Sequence, residues 1–458
     1  MILLLVAAKE LARGYRLWLG SLVVIIASAA VCAATLAQFD TAEMLPAAHG
    51  DSLRSMSSGI FAFSMLAAIA ITSATTNLAV ASGRRGYALL QLAGFLPRQL
   101  TILVFAQLFM LALLGTGIGI GVGRLIAQPL LDLAVAQTSV PEGASVTYGG
   151  NAIAWAFGII ATVVMLAGVR AAVRAGKVPP IEALREPEPP RIRMGVARWI
   201  AVGALGALAL GLGFGVSGSS PGLESPSGST ATIGVGMLFS IALTALAASM
   251  GPLLYPVVLR SWTALVPVGL SGAWFLARRS CQYRITQSTA AVTPLMVGIA
   301  LPGALYTIFL TAGSALAPGG SDPGAINSAS IFTILGPALL LAALGSAAII
   351  FMTGRTRARD NALVAVGGGT RGTAILSAAF EAVIYVITAL LIAGAIFGLV
   401  GLAVAAAFRH TLPSATPAYG IATALGISAV GAIIIGIATV LPVLLPTNRS
   451  LPSLLAAE

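Results

Sequence analysis

Few residues in this chain could carry out chemistry. Its 458 residues include 14 acids, 25 basic residues and two histidines, His49 and His410. Two isolated histidines fall short of the ligand set that a metal site needs, so we predict no metal site. The lysines are Lys9 and Lys177, and neither lies in the G-x-x-x-x-G-K pattern that binds nucleotide phosphates. We therefore expect neither a nucleotide cofactor in this chain nor an enzyme active site.

One acid stands inside an apolar run. Glu381 lies about two turns into the segment 373–402. An ionisable residue inside a membrane helix is costly, so it is a functional candidate by default. The alternative interpretation is that Glu381 reaches Arg371 or water at the interface, and both interpretations stay open. Proton coupling would need further acids in the membrane, and the other apolar runs contain none.

Small and polar residues also interrupt the apolar runs. Glycines recur four residues apart at Gly119 and Gly123 and again at Gly394 and Gly398. Small residues at this spacing let membrane helices approach closely, so we predict helix packing, with a flexing point as the functional alternative. The polar stretch TSATTN ends at Asn77. We expect hydrogen bonds between helices there, and a polar substrate path is the alternative.

The composition is that of a membrane protein. Hydrophobic residues make up 58% of the chain and charged residues only 9%, against about 25% charged in soluble proteins. The apolar residues come in runs of about 20, the length of a membrane-spanning helix. We predict an all-α polytopic membrane protein with ten spans. The predicted spans are 18–38, 59–81, 101–126, 150–171, 197–217, 232–258, 287–312, 331–353, 373–402 and 418–445.

The basic residues predict the orientation. A cytoplasmic N-terminus places 22 of the 25 basic residues inside and leaves only Arg54, Arg124 and Arg409 outside. We therefore expect a multi-pass protein of the cell (cytoplasmic) membrane with both termini in the cytoplasm, begun by an interfacial helix and an uncleaved first span. The net charge of +11 follows from this orientation and from attraction to anionic membrane lipids, and needs no nucleic acid.

A charged stretch separates the second and third spans. Residues 83–100 read GRRGYALLQLAGFLPRQL, with a charged start, a short helical middle, a glycine stop at Gly94 and a restart at Pro97. The same design returns at 354–372 as GRTRARDNALVAVGGGTRG. A shift of 273 places Gly94 on Gly367 and Arg98 on Arg371. We predict that both stretches are cytoplasmic coupling helices, which take a push from a separate motor protein.

The same shift predicts which residues of the two helices correspond. It places Leu89, Leu90 and Ala93, which share one helical face, on Ala362, Leu363 and Val366. Together with the chain after the fourth and tenth spans, this predicts two parallel copies of a four-span unit. The predicted division is 1–186 and 265–458 for the copies, with 187–264 as a linker that carries two extra spans. We expect the outside segments, including 40–58 and 128–149, to be loops too short to hold a core.

Three sequence features carry a family resemblance. They are RRGYALLQLAGFLPRQL at 84–100, the glycine-rich third span, and KVPPIEALRE at 177–186. The chain resembles the FtsX-like permease family of ATP-binding cassette (ABC) transporters, in a ten-span duplicated form similar to bacitracin-type peptide exporters and lipoprotein-releasing permeases. The second copy is degenerate in its tail, where Pro452 remains but the Glu-Ala-Leu-Arg run does not. The large outside domain of better-studied relatives is missing.

The resemblance implies a permease subunit driven by two copies of a cytoplasmic ABC ATPase, which would bind ATP and Mg²⁺. The residues it implies in coupling are Arg84, Arg85, Tyr87, Leu89, Leu90, Ala93, Gly94 and Arg98 in the first copy, and Arg355, Arg357, Leu363, Val366, Gly367 and Arg371 in the second. The small outside loops favour a substrate taken from the membrane, such as a lipid, lipopeptide, antimicrobial peptide or drug. The alternatives are a motor-driven signalling or scaffold subunit and an ion-coupled carrier that depends on Glu381.

Overall fold

The chain is an all-α polytopic membrane protein, as its sequence predicts. A computed structural model describes residues 2–138, 140–141, 143–177, 195–218, 226–267, 271–283, 285–316, 328–352, 366–409 and 416–419, with scattered residues between 421 and 440. Within this part of the chain there are thirteen helices and no strand. Nine of these helices are long and apolar enough to cross a bilayer.

The described helices correspond to the first nine predicted spans and to shorter helices before and between them. In chain order they are α1 (Ile2–Arg13), α2 (Tyr15–Met44), α3 (Ala47–Ser82), α4 (Arg84–Leu92), α5 (Pro97–Val135), α6 (Gly150–Gly176), α7 (Val196–Gly218), α8 (Pro226–Ser249), α9 (Gly251–Ala264), α10 (Gly272–Tyr283), α11 (Ile285–Leu316), α12 (Ser328–Met352) and α13 (Arg371–Arg409). The tenth predicted span, 418–445, and the tail at 177–186 lie mostly outside the described residues.

The chain divides into two compact units. Unit 1 comprises residues 1–189 and 332–360, and unit 2 comprises residues 190–331 and 361–458. This division follows contacts rather than sequence similarity, so the predicted copies 1–186 and 265–458 stay a prediction. It does show that α12, which the sequence assigns to the second copy, packs within unit 1.

Unit 1 is held together by a close approach of α2 to α5. An ideal Cβ at Gly119 would lie 2.5 Å from the Ala29 Cβ and 2.7 Å from the Ile26 carbonyl oxygen. At Gly123 it would lie 2.8 Å from the Ala30 carbonyl oxygen. Because two of these neighbours are backbone atoms, a side chain at either position would have to push the helices apart. Both glycines therefore let α2 and α5 pack backbone to backbone.

The helix α12 runs parallel to α3 inside unit 1. A Cβ at Gly59 would lie 3.3 Å from the Ile334 Cγ2, and a Cβ at Gly345 would overlap the Cγ2 of Ile71. Ile334 lies 275 residues after Gly59, and Gly345 lies 274 residues after Ile71. Since the offset is nearly constant along the contact, the two helices are parallel and in register. This is the relation expected of repeats that are turned about an axis along the membrane normal.

Three helices of unit 1 are much longer than a membrane is thick. The helices α2, α3 and α5 have 30, 36 and 39 residues, which corresponds to about 45, 54 and 58 Å, against a hydrocarbon core of about 30 Å. Their ends beyond the membrane bury Leu53, Ile60 and Leu131 in a small cluster of their own. The prediction of a coreless loop at 40–58 is therefore wrong, because both segments continue as helices around a turn at 45–46.

Hydrogen bonds hold the segment that follows α5 against α2 and α5. The Gly149 N–H donates to Asp40 Oδ2 at 2.8 Å, and the Val146 N–H donates to Gln128 Oε1 at 3.0 Å. Polar side chains on α2 and α5 thus supply hydrogen-bond partners to backbone groups that no helix satisfies. The segment 128–149 is an ordered cap rather than the free loop that its sequence indicated.

Unit 2 differs from the sequence prediction at its second helix. The predicted span 232–258 ends at Ser249, and a separate helix, α9, begins at Gly251. Pro252 stands in the first turn of α9, where its missing N–H costs least.

The glycines Gly394 and Gly398 of α13 show no close contact with another helix among the described residues. A Cβ at Gly394 would lie 3.8 Å from the Phe397 ring of the same helix, and a Cβ at Gly398 would have no neighbour within 4 Å. The packing role of these two glycines stays a prediction.

The contact of α2 with α5 can be tested by a matched pair of substitutions. We expect Gly119→Leu to lower the stability of the protein by about 1–3 kcal/mol, the usual cost of overpacking. Gly117→Leu on the same helix should have little effect, because no described atom lies within 4 Å of a Cβ there. Heating the detergent-purified protein and measuring the fraction that stays monodisperse would compare the two. Equal loss in both variants would contradict the proposed backbone contact.

Candidate functional site

The helix α4 is anchored to unit 1 by one face. Tyr87 and Ala88 are buried in the core of the unit, and Leu90 packs against the same core. The Gln91 Nε2 donates to the Gly176 carbonyl oxygen at 3.3 Å, which joins α4 to the end of α6. Since apolar packing and a hydrogen bond both hold it, α4 is a fixed part of unit 1.

Burial also determines the chemistry of Tyr87. Removal from water raises the pKa of the Tyr87 hydroxyl above its usual value, and the negative charge of Glu10 raises it further. The side chain therefore stays neutral at physiological pH and serves as an anchor. Tyr87 is buried and Leu90 is partly buried in this core, so neither lies on the exposed side of α4, and their part in coupling stays a prediction.

Both ends of α4 are defined by glycines. The Gly83 N–H donates to the carbonyl oxygens of Ala79 and Val80 at 3.1 and 3.2 Å, which ends α3. At the other end Gly94 has a φ of +96°, and the Phe95 N–H donates to the Leu90 carbonyl oxygen at 3.1 Å. This is the Schellman arrangement, in which a left-handed residue satisfies the last carbonyls of a helix. The predicted glycine stop at Gly94 is confirmed.

The chain restarts immediately after this stop. Pro97 begins α5. Proline is favoured at the first position of a helix because a backbone N–H there would have no partner within the helix, so its absence costs nothing. The N–H of Leu96 donates to Gln99 Oε1 at 3.0 Å, which satisfies the residue just before the helix. Only four residues thus separate α4 from the long helix α5, and a displacement of α4 would act directly on the start of α5.

The outer face of α4 is apolar and exposed. The exposed fractions of the Leu89, Leu92 and Leu96 side chains are 54%, 57% and 62%, and Ala93 is exposed beside them. Leu89, Leu92 and Ala93 follow the i, i+3, i+4 spacing of one helical face, and Leu96 is exposed in the connection after Gly94. The sequence analysis named Leu89 and Ala93 but missed Leu92 and Leu96. Continuing the period of 3.6 residues from Leu89 would have found Leu92, but not Leu96, because the helix ends before it.

Basic residues surround this apolar face. Arg84, Arg85 and Arg98 are exposed at its two ends. Arg174 and Lys177 lie in the last turn of α6 and just after it, the part of α6 to which α4 is joined, and are exposed as well. The face is thus an apolar strip within a positively charged surround, suited to a partner that offers an apolar groove with acidic edges.

The second stretch shows the same design, in a different register from the predicted one. The described part begins at Val366, which is 67% exposed, and the left-handed residue is Gly368, with a φ of +87°. Since α13 begins at Arg371 as α5 begins at Pro97, the local shift is 274 rather than 273. The predicted match of Gly94 with Gly367 is therefore wrong by one residue.

The corrected register changes which residues correspond. Val366 matches the exposed Leu92 rather than Ala93, and Leu363 matches Leu89 by residue count. Gly367 matches Ala93, and Arg371 matches Pro97. Leu363 lies outside the described residues, as do Arg355 and Arg357. Their role in coupling stays a prediction.

The intramembrane polar residues that the sequence analysis named belong to α3 and α13. Glu381 is buried in α13 of unit 2, and both interpretations of it stay open. The Asn77 Nδ2 donates to the Ser73 carbonyl oxygen at 2.6 Å, and the Thr75 hydroxyl donates to the Ile71 carbonyl oxygen at 3.0 Å. These bonds lie within α3, whereas the buried hydroxyls of Thr72 and Thr76 have no hydrogen-bond partner among the described residues. Among the described residues, no group of three or more His, Cys, Asp or Glu could hold a metal ion.

A comparison with known protein families finds a match in the region that contains α4. Residues 58–180 match the family model of the FtsX-like permease C-terminal domain. The matched segment contains most of α3 and the whole of α4, α5 and α6, and so includes the anchored helix and the contacts that hold it. The resemblance to FtsX-like permeases is confirmed over these residues. No curated protein matches the chain.

The shape of α4 can be tested at its two open glycines. Gly94→Ala should destabilise the end of the helix by about 1–2 kcal/mol, because an L-residue disfavours the left-handed conformation. Gly86→Ala lies inside α4 with no described atom within 4 Å of a Cβ and should stabilise it by about 0.5–1 kcal/mol. Hydrogen exchange of the α4 amides would measure both. Changes of the same sign would contradict the assigned conformations.

Proposed function

We propose that this chain is the membrane subunit of an ABC transporter and that a cytoplasmic ATPase docks on the outer face of α4. The observation that carries the proposal is the structure of α4, with Tyr87 and Ala88 buried in unit 1 and Leu89, Leu92 and Leu96 exposed. The match of the surrounding helices to an FtsX-like permease domain supports it.

The exposed face has the properties of a helix that lies in a groove. Complete burial of a leucine side chain stabilises by about 1.5–3 kcal/mol, so two or three leucines of α4 supply enough energy for a specific contact after the costs of association. Recognition of an apolar helical face in a groove is a common mode. The arginines at the ends of α4 would meet acidic edges of the ATPase or lipid phosphates.

Because α4 is anchored to unit 1, a movement of the docked ATPase would be transmitted to the membrane helices. Because Gln91 binds the carbonyl of Gly176 and the chain from Gly94 to Pro97 is short, a movement of the ATPase would be passed to α5 and α6 together. The second stretch around Val366 would receive a second ATPase subunit, which gives one permease to two motors. ATP and Mg²⁺ would be bound by the ATPase.

The substrate class follows from the small size of the outside parts. We propose export or extraction of a hydrophobic or amphipathic substrate from the cell membrane, with both termini in the cytoplasm. The predicted outside segments are too short to form a separate domain that would bind a water-soluble substrate. Transport restricted to water-soluble compounds by the purified complex would contradict this substrate class.

Substitutions on α4 test the docking surface. We expect Leu89→Asp and Leu92→Asp each to weaken binding of the partner ATPase at least tenfold, because a carboxylate would be buried in an apolar groove. Leu265→Asp is the control, since Leu265 is at least as exposed and lies outside α4. Binding is measured with the purified permease in nanodiscs and the ATPase encoded beside it. Equal effects of all three substitutions would refute the site.

Native mass spectrometry of the same complex tests the number of motors. We expect one permease with two ATPase subunits, reduced to one by Leu92→Asp and unchanged by the control. A permease that purifies without an ATPase and transports in its absence would instead support the ion-coupled carrier, in which Glu381 would be essential.

A further inference from the structure

A groove opens on the side of unit 1 where α1 meets α2. The two helices are separated at Gly14, whose N–H donates to the Glu10 carbonyl oxygen at 2.8 Å. The helix α2 begins at the next residue, Tyr15. Beside this break lies a cavity of about 490 Å³, within the size range of ligand sites. Its walls come from α1, the start of α2 and the segment 110–114 of α5, and its lining is almost entirely apolar.

The groove lies at the boundary between lipid chains and head groups. The candidate span of α2 begins at Leu17, so Trp18 and Leu22 are inside the hydrocarbon near its edge, whereas Ala8 and Ala12 on α1 precede the span. The walls of the groove extend from Ala8 on α1, across the break at Gly14, to Leu22 on α2. One end of the groove therefore precedes the apolar span of α2, and the other lies within it.

Charge is unevenly distributed around the groove. Lys9 and Arg13 are exposed, one position after the lining residues Ala8 and Ala12 and four residues apart on the same side of α1. The acid of this helix, Glu10, is partly buried, and its charge raises the pKa of the buried Tyr87 of α4. The head-group end of the groove is thus basic, and its membrane end carries Tyr15 and Trp18, residues that favour membrane interfaces.

We propose that this groove binds one anionic phospholipid, with an acyl chain along the apolar wall and the phosphate at Lys9 and Arg13. An apolar groove open to a bilayer will be filled by a lipid chain, since water is excluded there. The two basic residues add the preference for an anionic head group, as in other basic pockets at membrane surfaces. The proposal concerns a retained lipid and does not depend on the docking of an ATPase.

Quenching of tryptophan fluorescence by lipids with brominated chains tests this proposal. The full chain is reconstituted in vesicles of brominated phosphatidylglycerol, which is anionic, or brominated phosphatidylcholine, which is zwitterionic. We expect phosphatidylglycerol to quench Trp18 at least twofold more strongly. Trp18→Phe should abolish the difference between the lipids, and Trp155→Phe should leave it, because Trp155 on α6 is exposed away from the groove.

Charge substitutions separate the site from general attraction to the membrane. Lys9→Gln with Arg13→Gln should remove the preference for phosphatidylglycerol, whereas Arg260→Gln with Arg279→Gln removes the same charge from α9 and α10 and should preserve it. Filling the groove with Ala12→Leu should reduce the quenching of Trp18 by both lipids. Equal quenching by the two lipids, or a difference that survives loss of Lys9 and Arg13, would overturn the proposal.

A second measurement guards against variants that fail to fold. Phospholipid retained by the detergent-purified protein is quantified by mass spectrometry, with wild type compared to Ala12→Leu. We expect wild type to retain about one phosphatidylglycerol that the variant loses. Retention that is unchanged by Ala12→Leu in a folded, monodisperse protein would also contradict a lipid in this groove.

Discussion

The close packing of α2 against α5 is the contact on which the rest of unit 1 depends. Lipid offers no hydrophobic force to drive two apolar helices together, so their association relies on short contacts between backbones. Gly119 and Gly123 provide these contacts against Ala29 and Ala30. Once α5 is fixed in this way, its first turn holds the short connection to α4, and α4 is pressed against the core through Tyr87. The outward leucines of α4 are therefore presented by a rigid support.

The sequence predicts the membrane helices better than the segments between them. Apolar runs of about 20 residues indicate spans because unsatisfied backbone groups are costly in a bilayer, although the break before Gly251 in the predicted span 232–258 was not visible. The segment 40–58 was misjudged because its polar residues look like a loop, whereas α2 and α3 continue through it and bury Leu53 between them. No local pattern distinguishes a polar loop from a helix stabilised by contacts with α5, which is distant in sequence.

The structure of α4 could be predicted from the sequence only in part. The glycine stop at Gly94 was visible because left-handed backbone favours glycine. The inward position of Leu90 could not be predicted, because a short run of apolar residues fits more than one helical face. Only the burial of Tyr87 determines which face of α4 is inside. The second stretch was placed one residue out of register because GGG at 367–369 offers three equivalent glycines, and φ identifies Gly368 alone as left-handed.

The position of α12 bears on the proposed coupling role of the two stretches. In unit 1, α12 lies parallel to α3 and in register with it, with Gly345 against Ile71 and Gly59 near Ile334. The helix α3 continues through Gly83 into α4, and the second stretch follows α12 in the sequence. If both stretches receive a motor, as proposed above, each follows one of two touching helices. Forces on the two stretches would then meet where the absence of a side chain at Gly345 lets α3 and α12 approach closely.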